Sequence, residues 1–275
     1  MTTETLAPST TTASTGPLRR EDADGVALLV LDRPGARNAL SDAMLAALSG
    51  ALAAIAQDRG VRAVVLAAEG PVFCAGHDLK EMTAHRADPD RGRAYFADLL
   101  GRCAAVMQAI VALPQPVIAA VNGIATAAGC QLVASCDLAI AADDARFGTP
   151  GVSIGLFCST PMVALSRAVA AKHAMEMLLT GDLIGAEDAL RFGLVNRLVP
   201  AGQERSAALA LARRIADKSA VAIRYGKAAF YKQRELPLAE AYHYAAEVMT
   251  ENMLARDAEE GIGAFVAKRP PVWER

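Results

Sequence analysis

The chain has 275 residues, 53% of them hydrophobic, and a formal charge of −2. That length holds one large domain with an appendage, or two domains. The near-neutral balance excludes a general nucleic-acid binder, so any phosphate-bearing ligand needs a few local cations. No apolar run reaches the roughly 18 residues that a bilayer-spanning helix needs, and no membrane partner is expected. The cysteines Cys74, Cys103, Cys130, Cys136 and Cys158 lie in apolar or small-residue settings and lack Cys-x-x-Cys spacing. They read as buried free thiols in a reducing compartment, not as a disulfide framework or a metal site, and a cytoplasmic location is the expectation.

Residues 1–18 are rich in Thr, Ser and Pro and carry no apolar core of a secretory signal, so a disordered tail is expected there. Residues 25–32 form an apolar run of strand length, broken by Arg33-Pro34-Gly35. Ser41 then caps a helix to Gln57, with Leu45, Leu48, Leu52 and Ile55 at three- and four-residue spacing. A second strand covers 61–68, and a glycine-bearing turn follows over 70–78. Residues 86–92 are polar and read as a surface loop, and 94–113 as a helix. A third strand over 116–121 ends in Asn122-Gly123. A helix of small residues is expected over 126–135 and a fourth strand over 137–142. Strands alternating with helices predict an α/β fold with a mostly parallel sheet. After Thr160 the pattern is helical, over 171–179, 186–192, 203–218, 220–234, 238–256 and 258–268, with one short strand over 194–199.

The two small-residue turns carry the chemistry. Cys74-Ala75-Gly76-His77-Asp78 follows one strand, and Asn122 to Gln131 follows another. Each presents bare backbone, and the natural donors are the N–H groups of His77 and Ala128. Two such donors aimed at one point form an oxyanion hole, and each is typically worth about 10²–10³ in rate.

Together with these turns, Arg37-Asn38-Ala39-Leu40, residues 73–82, 120–137, 147–155 and 265–269 resemble the crotonase superfamily, the enoyl-CoA hydratase/isomerase group. The resemblance runs in order from about residue 24 to 274. It implies a spiral of ββα units over 19–200 and a C-terminal helical extension over 201–275 that trimerises, as a homotrimer or a dimer of trimers. It also implies an acyl-CoA thioester as ligand, with CoA as part of the substrate and no separate cofactor. The thioester carbonyl would rest on the N–H groups of His77 and Ala128. Arg37, Ala75, His77, Asp78, Leu79 and Lys80 match the CoA-contact positions. Phe265 and Lys268 match C-terminal positions that reach a CoA held by a neighbouring copy.

The chain departs from the hydratase pattern at both carboxylates. Gln131 and Gly151 stand where the resemblance places the two catalytic glutamates. A positioned acid or base commonly contributes about 10²–10⁴, so ordinary hydration is expected to be weak. His77, Cys130 and Cys158 are the candidate substitutes. Asp78 reads as a helix-start acceptor, Glu81 as a surface or ion-pair residue, and Asp137 as a partner for backbone donors. Some relatives with glycine at the second position hold a bicarbonate there, and Gly151 with Thr149 predicts room for such an anion. Met82, Leu99, Met107, Leu156 and Phe157 are apolar residues for either an acyl pocket or the core. Three functions stay open. They are a lyase- or isomerase-type acyl-CoA enzyme, a weak hydratase of fatty-acid metabolism, and a non-catalytic acyl-CoA-binding protein.

Overall fold

The computed structural model describes residues 16–274. Most of the expected tail therefore lies outside the described residues. Leu18, assigned to that tail, instead opens strand β1 (Leu18–Ala23).

Strand β1 pairs antiparallel with β2 (Val26–Leu31). Beyond β2, the strands β3 (Ala63–Ala68), β5 (Val117–Val121), β7 (Leu138–Ala142) and β10 (Arg197–Val199) complete a six-stranded sheet, every further pairing parallel. A second sheet has four strands of two or three residues: β4 (Val72–Cys74), β6 (Ile124–Thr126), β8 (Arg146–Gly148) and β9 (Ile184–Gly185). The chain alternates between the sheets. β3 passes to β4, β5 to β6 and β7 to β8, and each pair leads into a helical segment. This is the expected spiral of ββα units.

Both faces of the large sheet are buried, which explains the unbroken apolar runs of β2 and β3. Val26, Leu28, Val30, Val65 and Ile118 face α8 (Glu204–Ala216), which seals them with Ala208 and Ala212. Leu29, Leu31, Val64 and Leu66 face the spiral interior. There α1 (Asp42–Gln57) buries Met44, Leu45, Leu48, Leu52 and Ile55, and the Ser41 hydroxyl accepts from the Met44 N–H at its start. Because α8 belongs to this sheet, the part that stands apart begins with α9 (Ala220–Gln233) and continues through α10 (Leu238–Met253) and α11 (Arg256–Val266).

Helix α3 (Arg93–Ala112) is long and apolar enough to cross a bilayer by length and composition. It instead packs on α1 and α4 (Ala128–Ser135), burying Leu99, Cys103, Val106, Met107 and Ile110. Its start differs from a plain polar loop. The Asp90 carboxylate accepts from the N–H groups of Gly92 (3.0 Å) and Ala94 (2.8 Å), and His85 stacks on Tyr95 with ring centroids 3.6 Å apart.

Candidate active site

The small sheet brings the two turns together. β4 and β6 are parallel neighbours, with Val72 opposite Ile124 and Cys74 opposite Ala125. β4 ends at Cys74, and the chain turns through Ala75, Gly76 and His77 before Asp78 caps α2 (Leu79–Ala84). Gly76 has φ +89°. A Cβ on it would lie 3.0 Å from Ala127 Cβ, 3.2 Å from Thr126 O and 3.3 Å from Ala128 N. The first turn therefore rests directly on the second, and only glycine fits both the angle and the gap.

Ala127 holds the second turn with φ 50° and ψ −119°. Such a conformation costs a non-glycine residue about 1–3 kcal/mol and persists only when its surroundings hold it. Here the Ala127 N–H donates to Gly148 O (2.9 Å), and Ala127 O accepts from the Gln131 N–H (3.0 Å). The small-residue helix expected from 126 thus starts at Ala128, because Thr126 is committed to β6. Ala128 is the first residue of α4, so its N–H has no partner within the helix. Among the described residues, no backbone hydrogen bond occupies the N–H of His77 or of Ala128.

A third segment fixes the other side. The Ala75 N–H donates to Arg37 O (3.1 Å), and the Leu40 N–H donates to Gly76 O (2.8 Å). Asn38, fully buried at φ +51°, locks this segment. Its Nδ2 donates to Glu69 O (2.8 Å) and Val72 O (2.7 Å), and its Oδ1 accepts from the Arg33 N–H (2.8 Å). Sequence reasoning missed this task for Asn38, since the two carbonyls its Nδ2 bonds lie more than thirty positions away.

The ionisable side chains around the turns are mostly committed. Asp78 accepts from the N–H groups of Lys80 and Glu81 and lies 3.8 Å from Arg33. Glu81 accepts from the Asp42 N–H at the start of α1 (2.9 Å). Burial pushes the Cys130 thiol up to about 12 and raises Cys158 too, so neither is a ready thiolate. Burial lowers the His77 ring below its ordinary 6.5, and its Nε2 is buried without a partner. Gln131 is 4% exposed, and its Oε1 is likewise unpartnered. Asp137 does satisfy a backbone donor, the Val117 N–H (2.7 Å). It also accepts from Lys227 (2.7 Å) and Tyr231 (3.0 Å) on α9.

Gly151 corrects one expectation. A Cβ there would lie 2.7 Å from Leu156 O and 2.8 Å from Cys158 Sγ. The space beyond its Cα is occupied by the protein itself, so it offers no room for an anion on that side. Thr149 is buried and donates to Met177 O (2.9 Å).

Of the residues matched to CoA contacts, Arg37, Leu79 and Lys80 are exposed beside the first turn, and Ala75 is half-buried. No ion pair engages Arg37 or Lys80 among the described residues. Phe265 is 85% exposed at the end of α11, which packs on α9 and α10, and Lys268 is exposed just past it. A cleft of about 1330 Å³ runs between α3, α4, α9 and α5 (Pro161–Ala168), lined by Met107, Val111, Gln131, Ala134, Val163 and Lys227. Leu99 is a core residue, whereas Leu156 and Phe157 are exposed. No group of three or more His, Cys, Asp or Glu able to hold a metal occurs among the described residues.

Residues 21–275, which span this spiral and both turns, match the family model described as enoyl-CoA hydratase/isomerase. The chain belongs to that family. It is 48% identical over 250 residues to the enoyl-CoA hydratase domain-containing protein 3, mitochondrial, of Rattus norvegicus, covering 91% of this chain and 82% of that one. The Homo sapiens protein of the same name is 48% identical over 257 residues, covering 94% and 83%. The crystal structure of human enoyl coenzyme A hydratase domain-containing protein 3 superposes with a TM-score of 0.88 at 47% identity, covering 94% of this chain and all of that one. An enoyl-CoA hydratase from Mycobacterium smegmatis gives a TM-score of 0.89 at 53% identity, covering 94% and 98%.

Proposed function

We propose that this protein is an acyl-CoA enzyme of lyase or isomerase type, in which the N–H groups of His77 and Ala128 hold the thioester carbonyl as it becomes an enolate or tetrahedral oxyanion. The observation that carries this reading is the stacking of the two turns. Gly76 sits against Ala128, both N–H groups lack a backbone acceptor among the described residues, and strain at Ala127 presents the second of them. Backbone donors fixed in a water-poor site stabilise developing charge without reorganising.

CoA is part of the substrate here, not a separate cofactor. Arg37 and Lys80 supply cations for its phosphates, with Ala75, Asp78 and Leu79 along its path. Phe265 and Lys268 complete the site of a neighbouring copy in a homotrimer or a dimer of trimers. Ordinary hydration is weak in this reading. Gln131 is not a base, and the loop around Cys158 closes the Gly151 position to a carboxylate. We place the protein in the cytoplasm, although the curated relatives named above carry the word mitochondrial.

The test measures melting temperature and turnover with butanoyl-CoA, crotonyl-CoA and free CoA. A ligand at a hundred times its Kd stabilises the native state by about 2.7 kcal/mol. Both thioesters are expected to raise the melting temperature more than free CoA does, with crotonyl-CoA hydrated slowly. Failure of both to exceed free CoA sinks the thioester site. Fast hydration sinks the claim about the missing carboxylates.

A further inference from the structure

The site just described has two oxyanion donors but no carboxylate base. Three buried side-chain atoms at the stacked turns have no hydrogen-bond partner among the described residues, His77 Nε2, Asn122 Oδ1 and Gln131 Oε1. Buried polar atoms are nearly always satisfied, so each orphan calls for a ligand or a bound water. Gln131 lies one helical turn after Ala128, on the same face of α4, and lines the large cleft. Its amide accepts or donates hydrogen bonds but takes up no proton near neutrality. An imidazole does take up a proton in that range.

The other titratable groups nearby are engaged elsewhere. Asp78 caps α2 and faces Arg33, and Glu81 caps α1. Asp137 is tied to Lys227, Tyr231 and the Val117 N–H. Cys130 and Cys158 are buried thiols held in the protonated form. The segment that pairs with the first turn contributes only Arg37, which is exposed, and α4 contributes Cys130 and Gln131. Among the described residues, His77 is therefore the one group at the turns that combines a proton-accepting atom with the lack of a partner for it.

We infer that His77 is a catalytic base at the acyl α-carbon, with Nε2 as the atom that takes the proton. This rests on the thioester site proposed above. The α C–H bond breaks, and its proton passes to Nε2 to give an imidazolium. The electron pair forms a carbon–carbon double bond to the thioester carbon. The carbonyl π pair moves onto oxygen, where the His77 and Ala128 N–H groups hold it. Return of the proton to the α-carbon, or to the γ-carbon where a β,γ double bond extends the enolate to a dienolate, regenerates the neutral ring, so an acyl-CoA with an acidic α C–H is the substrate class. Burial favours the neutral ring in the resting enzyme, so the base is ready at pH 7.

The experiment incubates the protein with butanoyl-CoA in D₂O and follows deuterium at the α-carbon by mass spectrometry, with binding measured in parallel. His77→Gln and His77→Ala both keep the backbone N–H. Wild-type protein is expected to exchange, with the rate falling tenfold per pH unit once pH drops below the ring's pKa, itself under 6.5. At butanoyl-CoA concentrations that saturate each protein, both variants are expected to exchange about 10²–10⁴ more slowly than wild type. Added imidazole should restore part of the rate in His77→Ala. Wild-type exchange in His77→Gln, or wild-type binding without exchange, overturns the role of His77 and leaves the thioester site standing. Absence of butanoyl-CoA binding in wild type overturns the site itself and this inference with it.

Discussion

Replacing Gly129 by alanine sets two effects against each other at the point that carries the site. Gly129 lies in the first turn of α4, and alanine is the better helix former by about 0.8–1.0 kcal/mol. Yet a Cβ there would sit 2.1 Å from Cys74 O and 2.8 Å from Cys74 C. Carbon contacts are comfortable only near about 3.5–4.0 Å, so α4 or β4 has to move by more than an ångström. Both are backbone, and no side chain can swing aside. Overpacking of this kind costs about 1–3 kcal/mol, and the all-backbone contact places Gly129→Ala at or above the upper end. Subtracting the helix gain leaves a net loss of about 2 kcal/mol or more, which lowers the melting temperature by about 4–8 °C at this chain length. Gly50→Ala is the internal control. Gly50 lies in mid-α1 with nothing within 4 Å of its Cβ position. That variant should gain about 0.8–1.0 kcal/mol and melt higher. Thermal unfolding followed by circular dichroism reads both. Gly129→Ala melting at or above wild type would refute the claim that α4 is pressed onto β4.

Gly151→Glu should neither confer fast crotonyl-CoA hydration nor leave stability intact, because Leu156 O and Cys158 Sγ already fill the space; hydration by this single variant would show that the loop yields freely. Lys227→Met should cost about 3–5 kcal/mol in denaturant unfolding, since it removes the cation paired with the part-buried Asp137 carboxylate. Adding Asp137→Asn to that variant should recover much of the loss, because the amide oxygen still accepts from the Val117 N–H. The Arg269 guanidinium and the Val272 N–H hold the Glu260 carboxyl down to about 2 from an ordinary 4.5. Its folded pKa is depressed, so its contribution is present above the ordinary 4.5, declines below it and is lost as pH falls through about 2. Emission of Trp273, the sole tryptophan, which donates to Asp217 O (3.0 Å), should report the release of residues 269–274 over that window. Glu260→Gln should show the released signal already at neutral pH, and an unchanged spectrum would disprove the tether.

The large sheet and its helices were legible because periodicity reports burial. The runs at 25–32, 61–68, 116–121 and 137–142 each contain the strand that forms, trimmed by one or two residues. Strand β1 escaped notice because its sequence, Leu-Arg-Arg-Glu-Asp-Ala, is that of a charged edge. Its pairing comes from β2 and from Arg19, which bonds Asp32 and Glu69. The small sheet was illegible for another reason. Two- and three-residue strands carry no period, and their existence depends on distant partners, as of Val72 on Ile124 and of Ile124 on Arg146. At the site, the residue types of both turns could be read, but the strain at Ala127 could not. Alanine gives no sign of a positive φ, and only the bonds to Gly148 and Gln131 impose it. The anchoring of Asp137 by Lys227 and Tyr231 was hidden likewise, since 90 and 94 positions separate them.

The parallel register of β4 and β6 has one more consequence. Successive residues on such strands advance by about 3.3 Å and point to alternate sides. Residues 75–77 leave the end of β4 and 126–128 the end of β6, so deleting or inserting one residue there would shift one amide against the other by about 3.3 Å, more than a hydrogen bond tolerates. Length changes elsewhere in the spiral alter only how far the chain travels between layers. The spacing of the two donors is thus ruled by the short ladder, and these two triplets are where the chain has no freedom to grow or shrink.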